Sequence, residues 1–226
     1  MPTAKQSPAD ARITITTSSE LHSHLNQIRD DLQVPETEET WQRLDGALQR
    51  LQAITKGGAT KLNDYVPLVK TISQPLVNSL LSERTRLSGT AADLINSMAP
   101  RLGERFESLV PILIPTLLSI CSRTNKVAMK RAEKSLHLIS KHCNLVCLLP
   151  YMRQACSDKS QSLRIVSQGC MVILIECLPN ERIGRKVTEV EACIRSGATD
   201  PNPEVRQISK RLFELYLAKW PDRVEA

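Results

Sequence analysis

Aromatic side chains are scarce in this chain, with two Trp, three Tyr and two Phe among 226 residues. Helical repeats that read RNA present stacking side chains unit after unit, so the scarcity argues against a nucleic-acid reader. Seven cysteines occur without a Cys-x-x-Cys pair. Their odd number and apolar surroundings describe reduced thiols in a helical core, not a disulfide framework or a zinc site. His137 and His142, near Cys143 and Cys147, match no zinc spacing. No run approaches the roughly 20 apolar residues of a membrane span. The opening Met1-Pro2-Thr3-Ala4-Lys5-Gln6 lacks the apolar core of a secretory signal, and the expected location is cytosol or nucleus. Gly57-Gly58-Ala59-Thr60-Lys61 lacks the order of a phosphate-binding loop and reads as a turn between helices. No Ser/His/Asp, Cys/His or paired-carboxylate set stands out, so an enzyme and a cofactor are not expected.

What the chain does have is a repeat. The polar stretch Ser157-Asp158-Lys159-Ser160-Gln161-Ser162 opens a helix at Leu163. Leu44, Leu87, Ala128 and Val205 each follow a comparable polar turn, at intervals of 43, 41, 35 and 42 residues counting Leu163 in sequence order. Four residues on come Leu48, Ala91, Ala132, Ser167 and Ser209, mostly small. Eleven on come Thr55, Met98, Ile139, Leu174 and Tyr216, mostly large. A period near 40 built of helix pairs predicts an all-α, HEAT-like helical-repeat solenoid (an α-α superhelix) of about five helix pairs. Residues 1–17, polar and rich in Pro, Ala, Ser and Thr, are expected to be poorly ordered, and residues 18–226 to form the domain. The alternation Arg12-Ile13-Thr14-Ile15-Thr16 reads as a strand without an evident partner. The prolines of the helix expected over 62–81, Pro67 and Pro75, should bend it.

Charge is uneven. From Ser119 onward there are 18 Lys or Arg against 11 Asp or Glu, and before it 12 against 13. A basic half suits an acidic partner. Repeats stacked in register place equivalent turns on one side, so all five polar turns should share an edge carrying Trp41, Arg84, Arg123, Lys126, Lys159, Arg164, Arg206 and Lys210.

Glu39-Thr40-Trp41-Gln42-Arg43-Leu44, following a leading helix, resembles the opening of tubulin-binding TOG domains. Leu109-Val110-Pro111-Ile112-Leu113-Ile114-Pro115 and the helix start from Asp158 to Arg164 are similar to the CLASP N-terminal family. The resemblance spans 18–220, spread thinly over many positions. It implies a HEAT-repeat paddle whose intra-repeat loops grip the α/β-tubulin heterodimer and regulate microtubule dynamics, as a non-catalytic, monomeric module at microtubules and the spindle. By resemblance, Trp41 lies in the first loop against β-tubulin, Arg84 in the second, and Asn125 with Lys126 in the third. Lys159 and Arg164 belong to the fourth, and Asn202, Arg206 and Lys210 to the fifth, facing α-tubulin. The family pattern has a sixth repeat where this sequence carries five pairs. Other readings weigh against this one. Trp41 as a staple packed on Leu32 or Val34 is the structural reading of that residue, and Arg164 and Arg206 could pair with acidic groups of a neighbouring repeat. The alternative function is a general HEAT scaffold that takes an acidic protein or peptide in its concave groove.

Overall fold

The computed structural model describes residues 11–223. Among them every regular element is helical: α1 (Ser18–Leu32), α2 (Trp41–Lys56), α3 (Tyr65–Thr71), α4 (Ser73–Leu81), α5 (Thr85–Leu102), α6 (Val110–Cys121), α7 (Lys126–His142), α8 (Leu148–Cys156), α9 (Gln161–Cys177), α10 (Asn180–Ile183), α11 (Val187–Ala198) and α12 (Pro203–Lys219). They form five HEAT-like pairs: α1/α2, α3–α4/α5, α6/α7, α8/α9 and α11/α12. The chain divides into two compact units after Ile112, inside α6.

The repeat positions explain why these helices pack. Of the fifteen residues at the start, fourth and eleventh places, all but Ala128 are buried. In the first unit α2 packs on α5, and in the second α9 packs on both α7 and α12. Ala91, Ala132, Ser167 and Ser209 are small where these second helices meet, and Met98, Ile139, Leu174 and Tyr216 fill the space a few turns on. Burying one such large aliphatic side chain stabilises the fold by about 1.5–3 kcal/mol. The interior is not wholly apolar. In the first unit the hydroxyls of Thr55 and Tyr65 lie 2.6 Å apart. Gln52 donates to the Asp93 carbonyl at 3.0 Å. In the second, Gln168 donates to the Cys193 carbonyl at 2.8 Å. Each bond offsets the cost of burying the group that makes it, although Gln168 Oε1 is buried without a hydrogen-bond partner.

Five prolines sit in first turns, while Pro100 and Pro115 lie inside α5 and α6. Pro67 is the third residue of α3, Pro75 the third of α4, Pro111 the second of α6, Pro150 the third of α8 and Pro203 the first of α12. Backbone N–H groups there lack helical partners, so the missing donor costs nothing. Instead of one helix bent at two prolines, residues 62–81 therefore form two helices separated at Ile72.

The expectation of poor order over 1–17 lies outside the described residues for 1–10, and residues 11–17 run beside the end of α2. Ile13 donates its N–H to the Ala53 carbonyl at 3.1 Å, and Ile15 to that of Gly57 at 3.3 Å. The Ala53 carbonyl, which also accepts from the Gly57 N–H at 2.9 Å, takes a second bond here, and the Gly57 carbonyl lies beyond the last helical turn; together they are the partner the alternating segment lacked in sequence. Ile15 is buried. The crossing is so close that a Cβ on Gly57 would stand 1.7 Å from the Ile13 oxygen. Thr17 then caps α1 in a capping box with Glu20.

Candidate functional site

In the first unit the first two inter-helix turns are neighbours. Thr37 and Thr40 tie the turn before α2 into a compact knot, with Thr40 Oγ1 donating to the Pro35 carbonyl at 2.6 Å. Trp41 is the first residue of α2 and is half-buried. Its ring carries two guanidiniums, with the Arg84 and Arg86 Cζ atoms 5.6 and 6.0 Å from the ring centroid. Such cation–π contacts contribute about 0.5–1 kcal/mol at exposed positions. Arg84 precedes α5 and pairs with Glu36 at 3.3 Å and Glu38 at 2.5 Å. Arg86 donates to the buried carboxylate of Asp45 at 2.9 Å. The result is a Trp ringed by Arg whose charge is already compensated. The expected basic ridge is therefore not a property of this unit, whose first turn holds Glu36, Glu38 and Glu39.

In the second unit the third, fourth and fifth turns are neighbours. Asn125 caps α7, accepting from the Val127 and Ala128 N–H groups at 3.0 and 3.1 Å. Lys126 follows, exposed. The fourth and fifth turns share one construction. Asp158 accepts from the Ser160 N–H at 2.7 Å, and Asp200 from the Asn202 N–H at 2.8 Å. Ser160 and Asn202 then cap α9 and α12 through the backbone N–H groups beyond them. Arg164 donates Nη1 to the Asp158 and Lys159 carbonyls at 3.0 and 3.1 Å. Arg206 donates to the Asp200 and Pro201 carbonyls at 2.7 and 3.0 Å. Ser162 links the third turn to the fourth through the Cys121 carbonyl at 2.8 Å.

Arg164 also spans to the fifth turn, gripping Asp200 through Nε at 2.6 Å and Nη2 at 3.0 Å. Its side chain is 13% exposed and that of Asp200 4%. The fork-on-carboxylate geometry holds the Asp200 carboxyl below the usual carboxylate range, chiefly through the Arg164 hydrogen bonds. Arg164 is thus occupied within the protein, the neighbouring-repeat pairing weighed for it above. Lys159 and Lys210 stand exposed. Trp220, at the end of α12, donates its N–H to the Tyr216 carbonyl at 2.8 Å and lies 5.4 Å ring to ring from Tyr216.

Among the described residues no three His, Cys, Asp or Glu side chains converge as metal ligands. Among the described residues no helix is long and apolar enough to cross a membrane. Five of the seven cysteines are buried. Burial pushes the thiols of Cys121, Cys143 and Cys170 up to about 12.

Paired helices, Asn and Ser caps and turn-to-turn Arg–Asp contacts define a HEAT-like helical-repeat protein. The chain belongs to the CLASP N-terminal family, which matches residues 21–226. It is 27% identical over 197 residues to Protein stu1 of Aspergillus fumigatus, covering 83% of this chain and 14% of that protein. It is 29% identical over 187 residues to Protein peg1 of Schizosaccharomyces pombe, covering 79% and 13%. A CLIP-associated protein of Arabidopsis thaliana is 25% identical over 188 residues, covering 82% and 13%. The chain therefore spans about a seventh of the length of these relatives. Among solved structures, one reported as "Crescerin uses a TOG domain array to regulate microtubules in the primary cilium" matches with a TM-score of 0.60 at 14% identity, over 90% of this chain and 77% of that one. The MAST/Orbit N-terminal domain matches with a TM-score of 0.60 at 12% identity, over 87% and 85%. At these identities the likeness concerns the fold.

Proposed function

We propose that this chain is a non-catalytic tubulin-binding module, acting on microtubule dynamics through its intra-repeat turns. One observation carries the reading: Trp41 stands half-exposed at the start of α2 with Arg84 and Arg86 over its ring. A rigid aromatic held in place by charged neighbours has the make-up of an interface hot spot, able to desolvate on contact. Asn125, Lys126, Lys159, Asn202, Arg206 and Lys210 of the second unit supply polar and positive contacts that speed encounter with an acidic partner. Arg164 serves the fold by holding the fifth turn in place. The module works as a monomer in the cytoplasm, on microtubules and the spindle, and needs no cofactor.

Trp41→Ala tests this directly. The variant should no longer co-elute with α/β-tubulin on a sizing column while its helical circular dichroism stays that of the parent. Undiminished co-elution would mean that the first turn is not the contact. A pull-down comparing soluble tubulin with stabilised microtubules then tells which form is preferred.

A further inference from the structure

Lys126, Lys130 and Lys134 recur every four residues on α7, and Lys141 follows a further seven residues on. At about 100° per residue all four fall within a quarter-turn arc of the helix, along roughly 22 Å of its axis. All four are exposed. Among the described residues none of them forms an ion pair, although the chain's arginines are extensively paired. Beside this row, between α7 and α9, lies an open cavity of about 300 Å³. Lys130, Lys134 and Lys141 form its rim, with Leu138 and Ile173 contributing apolar surface. His137 completes the lining. Its Nε2 is shut off from solvent without a hydrogen-bond partner. It lies so close to α9 that a Cβ on Gly169 would stand 3.3 Å away. Burial lowers the His137 pKa, so the imidazole adds a flat neutral wall while the lysines carry the charge. Glu133 also faces the groove.

We propose that the α7 face of the second unit, with the groove it forms against α9, docks an acidic polypeptide segment in extended conformation. Four ammoniums along 22 Å match about seven residues of extended chain. Lysine supplies point charges that pair with carboxylates on a mobile segment without a fixed fork geometry. The Leu138–Ile173 floor accepts one apolar side chain between the acidic ones. The row lacks the aromatic platforms that single-stranded nucleic acid stacks on. This surface runs along a helix face of the second unit and shares Lys126 with the turn contacts proposed above, but its occupancy does not depend on the tubulin reading.

A fluorescein-labelled 12-residue peptide of Glu with an interspersed Leu, titrated with the whole protein at low salt and read by anisotropy, tests the proposal. Binding should saturate and weaken steeply as salt rises. The triple change Lys130→Glu, Lys134→Glu and Lys141→Glu should cost at least tenfold in affinity, and the Gln versions of the same changes several-fold. A charge-matched control at the exposed Arg185, Lys186 and Arg195, each changed to Glu, should cost less than twofold. Equal losses in the two triple variants, or non-saturating binding, would overturn the site. A single-stranded RNA 12-mer binding more tightly than the peptide through the same lysines would overturn the choice of ligand. Tubulin co-elution that survives the α7 changes but not Trp41→Ala would separate this surface from the turn contact.

Discussion

Both units pair arginine with carboxylates, but they differ in the positive charge left over. In the first, 12 basic and 13 acidic residues nearly balance, and the arginines around the turns face carboxylates: Arg84 with Glu36 and Glu38, Arg86 with Asp45, Arg43 and Arg50 with Asp31. In the second, 18 basic residues outnumber 11 acidic ones. There the best-paired arginine, Arg164, is withdrawn from the surface while lysines stand free on it. A count of positive residues therefore does not locate a positive surface. What matters is which cations have been neutralised by the fold and which remain for a partner.

The sharpest test of that contrast is Arg164→Ala. It strands the Asp200 carboxylate, 4% exposed, and should cost about 3–5 kcal/mol in urea unfolding, the range for breaking a buried pair from one side. A loss below 1 kcal/mol would place this pair with ordinary surface bridges. Gly57→Ala probes the tie peculiar to the first unit. The added methyl meets the Ile13 carbonyl, so the segment over 13–15 must lift at about 1–3 kcal/mol. The Ile13 and Ile15 amides should lose their protection from hydrogen exchange, and unchanged protection would contradict the close crossing.

Acid should act on both units in the same direction. Asp200 and Asp31 have carboxyls held below the usual range, by Arg164 and by Arg43 respectively. Their stabilisation is complete above the unfolded carboxylate value of about 4 and is lost as pH falls through the depressed folded value. The urea midpoint should therefore drop from pH 5 to pH 3, and drop less in Arg164→Ala. The smallest effect belongs to Arg84→Ala. With Arg84 34% and Glu38 77% exposed, its loss should cost less than about 1 kcal/mol while loosening the Trp41 ring, seen as a shift in tryptophan fluorescence.

Much of this architecture is legible in the chain itself, because burial in a repeat recurs at fixed offsets. Leu44, Leu87, Leu163 and Val205 mark the helix starts, and their fourth and eleventh successors mark a buried face. Ala128 is the weak member, its small side chain only half-buried in the shortest interval. The caps at Asn125, Ser160 and Asn202 are local side chains placed immediately before a helix, accepting from N–H groups two or three residues on. The partners of contacts across repeats were not legible, although a neighbouring-repeat carboxylate was one reading for Arg164. Nothing local tells Arg164 that its partner is Asp200, 36 residues away, rather than solvent. Likewise Glu36 and Glu38 neutralise an Arg84 that lies 46 residues beyond Glu38. The docking of Ile13 and Ile15 was hidden because its acceptors are helix-end carbonyls, which leave no mark in side-chain pattern.

The thiol arrangement offers a practical handle. Cys177, at the end of α9, is exposed, whereas Cys121, Cys143, Cys156, Cys170 and Cys193 are enclosed and Cys147 is half-covered. A brief maleimide pulse on the folded chain should therefore place a dye or spin probe chiefly at one address, on the segment where the α8/α9 pair gives way to the next. Binding at either surface could then be followed without engineering a cysteine-free background.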